Sequence, residues 1–112
     1  GKLYDDLHPA VLRALAMLIR TVQGQGKPIS VCGSMAGDPA GALLLTALGV
    51  NDLSMSAASI LRVKRVVRSV PYRQMQELLA QALTMQTPAQ VRALMNAALE
   101  EAGLGSLVRA GL

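Results

Sequence analysis

Val31-Cys32-Gly33-Ser34-Met35-Ala36-Gly37-Asp38-Pro39 is the stretch on which the fold turns. Leading into it, Pro28 to Cys32 is a short alternating segment between glycines. It predicts a strand with Ile29 and Val31 on one face and Ser30 and Cys32 on the other, because side chains in a strand repeat every two residues. At the far end, Asp38 offers a carboxylate to the free amides of a helix start, and Pro39 loses nothing by lacking an amide hydrogen there. The helix so opened runs through Ala42, Leu43, Leu44 and Leu45 to a stop at Gly49. A second strand is predicted from Asp52 to Ser56, with Leu53 and Met55 opposed to Ser54 and Ser56. Strands joined by a helix of this length predict a parallel pair with a right-handed crossover.

Working outward, Val11, Leu12, Leu15, Leu18, Ile19 and Val22 follow the spacing of a helix buried on one face. Pro9 suits its first turn and Gly24 or Gly26 its stop. Ser59 is a candidate cap for a helix through Ile60, Val63, Val66 and Val67, and Pro71 opens another through Met75, Leu78, Leu79 and Leu83. Thr87, Pro88 and Gln90 form the pattern of a capping box, which predicts a helix from Pro88 to about Ala102. Gly103, Gly105 and Gly111 punctuate a tail expected to fray. The reading is therefore α/β, two parallel strands and about five helices. Parallel strands are normally covered on both faces within sheets of several members, so further strands are expected outside these 112 residues.

Composition bounds the function. Hydrophobic residues make up 52% of the chain, yet Phe and Trp are absent, so Leu, Ala, Val and Met must fill the core. The formal net charge is +4, and five of the eleven cations fall between Arg62 and Arg73. Only Tyr72 is near them, so the interleaved rings that stack bases are missing and nucleic acid is not expected as a partner. Arg62, Lys64, Arg65 and Arg68 read instead as a solvated helix face. No membrane is expected either, since apolar runs such as Ala42 to Leu45 fall far short of the ~20 residues that span a bilayer. A single cysteine and the lack of a signal-peptide pattern point to the cytoplasm.

Val31 to Pro39 reads V-C-G-S-M-A-G-D-P, and Asp52 to Lys64 reads D-L-S-M-S-A-A-S-I-L-R-V-K. Together these resemble the end of the phosphoenolpyruvate-binding barrel in Enzyme I of the bacterial phosphotransferase system. The pattern there is C-G-E-(Met or Leu)-A-G-D, followed by a strand close to E-F-S-M-S-A and then S-I-P with a basic helix. The resemblance runs from about Tyr4 and His8-Pro9 through the helix at Thr87, and is slightly closer to the nitrogen-related branch than to the sugar branch. It implies the C-terminal fragment of a (βα)8 TIM-type barrel, supplying a quarter of its eight strands. It also implies an enzyme that transfers the phosphoryl group of phosphoenolpyruvate (PEP) to a histidine on a swivelling domain and thence to a histidine phosphocarrier protein. Mg2+ and several arginines hold the substrate in that family, and their residues are expected outside this chain. The fragment alone is expected to be inactive and to associate as a homodimer, using the aliphatic faces of the helices that begin at Pro9 and Pro88. A freestanding helical interaction module is the alternative.

By that resemblance Cys32 is the acid that protonates the enolate left when the phosphoryl group departs, giving pyruvate. An unperturbed thiol, with a pKa of about 8.5, is protonated at neutral pH and can still surrender its proton to a strongly basic carbon. On its own, a lone cysteine also reads as a small buried hydrophobe. Gly33 and Gly37 flank the loop before the Asp38 helix, where they either let amides approach a substrate anion or only make a tight turn. Ser54 and Ser56 either touch ligand or fill space at the strand ends. Ser34 stands in place of the pattern's glutamate, and Leu61 in place of its proline. His8 precedes Pro9 at a helix start and lacks the small-residue surroundings of a phosphorylated histidine. No carboxylates have metal spacing, Asp5 and Asp6 being adjacent and so facing apart.

Overall fold

The first helix, α1 (Pro9–Gly24), starts on a histidine: His8 Nδ1 accepts the Ala10 amide at 3.0 Å and so does the work of an N-cap, with Pro9 behind it. The computed structural model describes residues 7–110; Tyr4, Asp5, Asp6 and Gly111 lie outside them. The chain then forms β1 (Ser30–Cys32), a short α2 (Ser34–Gly37), α3 (Pro39–Leu48) and β2 (Asp52–Ser54). It continues with α4 (Ala57–Ser69), α5 (Tyr72–Ala82), α6 (Pro88–Glu101) and α7 (Gly105–Ala110).

The parallel pair is present. Ser30 pairs with Asp52, Val31 with Leu53 and Cys32 with Ser54 in a two-stranded sheet. Both strands are shorter than the sequence suggests, because the chain leaves the ladder early. Ser56, expected to end the second strand, is instead the N-cap position of α4, and Ser59, expected to cap that helix, lies within its first turn. Asn51 fixes the start of the pair, its Oδ1 accepting from Ile29 N at 2.8 Å while its own amide donates to Ile29 O at 2.9 Å. Val31 and Leu53 are half-buried against the core, and Ser30, Cys32, Asp52 and Ser54 are exposed, which is the alternation expected.

Helix α3 is the centre of the molecule. Eight of its ten residues are buried, Pro39 to Leu45 without a break and then Ala47, so it is apolar all round and needs neighbours on every side. It packs against α1, α2, α4, α5 and α6. Those helices are one-sided by comparison: Val63 and Val66 of α4, Met75, Leu78, Leu79 and Ala82 of α5, and Val91, Met95, Ala98 and Leu99 of α6 turn inward. Leu, Val, Ala and Met indeed make the core. The stop at Gly49 is left-handed, φ 97°, and a side chain there would also collide with Gln23, whose Nε2 donates to Gly49 O at 3.0 Å.

Two expectations fail on local structure. Residues 34–37, read as loop, form α2, because Gly33 at φ 109° turns the chain sharply enough for Gly37 N to return to Gly33 O at 3.3 Å. The tail does not simply fray: Gly103, φ 78°, reverses the chain after α6, Leu104 is buried, and its amide donates to Leu99 O at 2.8 Å, which sets up α7.

Candidate functional site

Cys32 is the last residue of β1 and Ser54 the last of β2, paired across the sheet. Their carboxyl ends open on a cavity of about 910 Å3. In parallel α/β architectures this end of the strands is where ligands bind. The Cys32 thiol is free and exposed, so the reading of a buried inert cysteine does not hold.

Most of the floor and walls comes from four helices, and Val108 of α7 completes them. Gly33, Ser34 and Gly37 approach from α2 and its entry, Asp38 to Ala40 from the start of α3, Ser56, Ser59 and Arg62 from α4, and Arg92, Asn96 and Leu99 from α6. Gly33 and Gly37 border the cavity for different reasons. Gly33 supplies a positive φ, whereas Gly37 keeps clear of α4, since a Cβ there would stand 3.2 Å from Ser59 Oγ. Ser54 and Ser56 are both exposed at the cavity rather than packed away as filler.

The polar groups are wired in two sets. Asp38 Oδ1 accepts from Ala40 N at 3.1 Å, capping α3, and Asp38 Oδ2 receives Arg92 Nη1 at 2.7 Å. On the other side Ser56 Oγ donates to Ser59 Oγ at 3.2 Å, and Arg62 Nη2 donates to the same Ser59 oxygen at 3.3 Å. Arg62 Nε and Asn96 Oδ1 are buried with no hydrogen-bond partner among the described residues.

Arg62 is thus not part of a solvated helix face: it is half-buried and lines the cavity, while Lys64, Arg65 and Arg68 are exposed as expected. Arg92 and Asn96 escape a reading of the sequence altogether. The available signal was their spacing of four, which puts two polar side chains on one stripe of the largely apolar middle of that helix, residues 91–99. His8 is spent on capping α1. Among the described residues no group of three or more His, Cys, Asp or Glu could hold a metal ion, and no helix is long and apolar enough to cross a membrane.

A family model described as PEP-utilising enzyme, PEP-binding domain, matches residues 1–72. The phosphoenolpyruvate-dependent phosphotransferase system protein of Escherichia coli (strain K12) is 41% identical over 112 residues, all of this chain and 15% of its own length. A phosphoenolpyruvate-protein phosphotransferase of Cupriavidus necator is 42% identical over 81 residues, 72% of this chain and 14% of that protein. That of Haemophilus influenzae is 35% identical over 102 residues, 91% of this chain and 18% of that protein. The chain therefore spans less than a fifth of the length of these relatives.

Proposed function

The chain belongs to the PEP-utilising enzymes, through their PEP-binding domain, and on that premise we propose that its whole protein transfers the phosphoryl group of PEP to a protein histidine, with Cys32 as the acid that completes pyruvate. The observation carrying this reading is the position of Cys32: an exposed thiol at the carboxyl end of a parallel strand, opening on a cavity with Ser54 of the neighbouring strand beside it. In this reading β1 and β2 are adjacent strands of a (βα)8 barrel, whose ligand face is the carboxyl end of its strands.

Transfer breaks the bond between phosphorus and the enol oxygen and leaves the enolate of pyruvate. Its terminal carbon takes the proton of the Cys32 S–H, the sulfur keeps the electron pair as thiolate, and water restores the thiol, which the exposure of Cys32 permits. The family's Mg2+ does not fit here. Asp38, the carboxylate of the cavity, is committed to Arg92 and to the Ala40 amide. The metal ligands and the substrate-clamping arginines therefore belong to the rest of the protein, and the 112 residues alone are catalytically inactive. The receiving partner is a histidine phosphocarrier protein, the setting is the cytoplasm, and the chain pairs with a second copy.

The test is Cys32→Ala in the full-length protein. Exchange of pyruvate methyl protons with deuterated water falls by roughly a hundredfold or more, the scale of a lost general acid. Phosphoryl exchange between PEP and the histidine is affected far less. Methyl exchange at the wild-type rate would remove Cys32 from the mechanism.

A further inference from the structure

The segment that follows the Cys32 thiol cannot hold itself. Helix α2 is a single turn of four residues, too short to be stable alone, and the bonds that close it, Gly37 N to Gly33 O and Asp38 N to Met35 O, are both 3.3 Å long. Its middle is fastened by packing. Met35 and Ala36 are buried, and Gly41 lets the first turn of α3 lie so close that a Cβ there would collide with Met35 O. Its exit, Asp38, is fastened by charge. The bond from Ala40 N to Asp38 Oδ1 is local and moves with the segment, whereas Arg92 Nη1 reaches Asp38 Oδ2 from α6 at 2.7 Å, a short, charge-assisted contact. Arg92 lies beyond residues 1–72, the stretch matched to the PEP-binding domain, so a helix outside that stretch reaches back to the strand end. The thiol itself is exposed, and its aim therefore follows from the backbone on either side: the ladder through Val31 before it and the Gly33 turn into α2 after it.

We infer that Arg92 is a positioning residue: through Asp38 it holds α2, and with it the aim of the Cys32 thiol, without acting on substrate itself. This rests on the reading of Cys32 as the acid. Proton transfer from sulfur to carbon needs the two groups within reach of each other, and a misplacement of about one ångström can cost roughly a hundredfold in rate. The charge of Arg92 is answered by Asp38 at 2.7 Å rather than offered to an anion in the cavity, which separates this role from substrate binding.

The experiment compares Arg92→Gln, Arg92→Lys, Asp38→Asn and the double variant Arg92→Gln with Asp38→Asn, all in the full-length protein. Asparagine keeps a cap for α3 and gives up the charge. The rate of pyruvate methyl exchange, divided by that of phosphoryl exchange between PEP and the histidine, falls about tenfold in Arg92→Gln and in Asp38→Asn and no further in the double variant. The loss lies in kcat rather than in KM. Arg92→Lys, which still brings a point charge to the carboxylate, recovers most of it. A wild-type ratio in Arg92→Gln overturns the proposal, as do losses that multiply in the double variant or fall on KM, because Arg92 would then act on the substrate by itself. Amide hydrogen exchange supplies a readout independent of the thiol: in Arg92→Gln the Gly37 and Asp38 amides open about tenfold faster relative to those of the buried Leu43, Leu44 and Leu45. Unaltered relative exchange overturns the proposal too. Should Arg92→Gln fail to fold, Asp38→Asn decides by the same two readouts. Wild-type methyl exchange in Cys32→Ala removes the acid, and the positioning role with it, while the amides still report whether Arg92 holds α2. Exchange lost in Cys32→Ala with a wild-type ratio in Arg92→Gln keeps the acid and overturns the role of Arg92.

Discussion

Asp38 links two helices: its Oδ1 accepts the Ala40 amide that starts α3, and its Oδ2 receives Arg92 of α6, fifty-four residues later, at 2.7 Å. It thereby holds the end of α2, the short helix that follows Cys32. The side chains of Arg92 and Asp38 are 32% and 24% exposed, so the pair sits between a surface ion pair, which contributes little, and a buried one, whose breaking costs several kcal/mol.

Asp38→Ala removes both the cap and the ion pair, and is expected to cost about 2–3 kcal/mol of stability, of which ~1 kcal/mol is the cap. Arg92→Ala leaves the cap in place and costs about 1 kcal/mol. Urea denaturation of the two single variants and the double variant checks this, with an expected coupling of about 0.5–1.5 kcal/mol. Strict additivity would mean that the 2.7 Å contact contributes nothing.

Gly49→Ala asks an L-residue to adopt φ 97° at the end of α3 and pushes on Gln23 of α1. A loss of about 1–2 kcal/mol is expected. Gly24→Ala is the control, because a Cβ there meets nothing within 4 Å and Gly24 has no positive φ. Thermal unfolding of the two variants side by side should separate them by several degrees.

Thr87→Ala opens the capping box of α6, in which Thr87 Oγ1 accepts from Gln90 N and Gln90 Oε1 from Thr87 N, each at 3.2 Å. Its expected cost is about 1 kcal/mol, with Thr87→Ser near neutral because the hydroxyl is kept. Equal midpoints for alanine and serine in a denaturant titration would show that the cap does not limit the stability of this helix.

Self-association has a narrower basis than the sequence suggests. The aliphatic face of α6, Val91, Met95, Ala98 and Leu99, is buried in the chain's own core and has nothing to offer a partner. On α1, by contrast, Met17 and Leu18 are 71% and 59% exposed. A dimer at micromolar concentration is the expected result of light scattering after size exclusion, and closed twofold pairs are the commonest form. Met17→Lys with Leu18→Lys should return it to monomer without loss of helix; a dimer that persists would shift the contact to the edges of the two-stranded sheet.

Much of the fold was legible because its signals are local. Asp38-Pro39, Thr87-Pro88 with Gln90, and Gly49 mark helix ends by their own chemistry, and each stands where it was expected. The strands were located but drawn too long at Ser56, since a serine after alternating residues continues a strand or caps a helix equally well. Helix α2 was missed because four residues carry no period to read. Of the cavity, the part contributed by Cys32, Gly33 and Gly37 was visible as a motif, and the part contributed by Arg62, Arg92 and Asn96 was not.

What the sequence determined by itself was the order of the two strands and the longer helices, the parallel sense of the strand pair, and the thiol at the end of the first strand, because each rests on local patterns of residue type. What only the tertiary structure decided was which charges are cancelled. Arg62 and Arg92 are both arginines on helices with an apolar face, and nothing within either helix distinguishes them. The packing of α3 against both α4 and α6 brings Arg92 to the single carboxylate at the start of α3 and leaves Arg62 across the cavity without one, because a carboxylate oxygen can satisfy only the cation that the fold brings within hydrogen-bond distance.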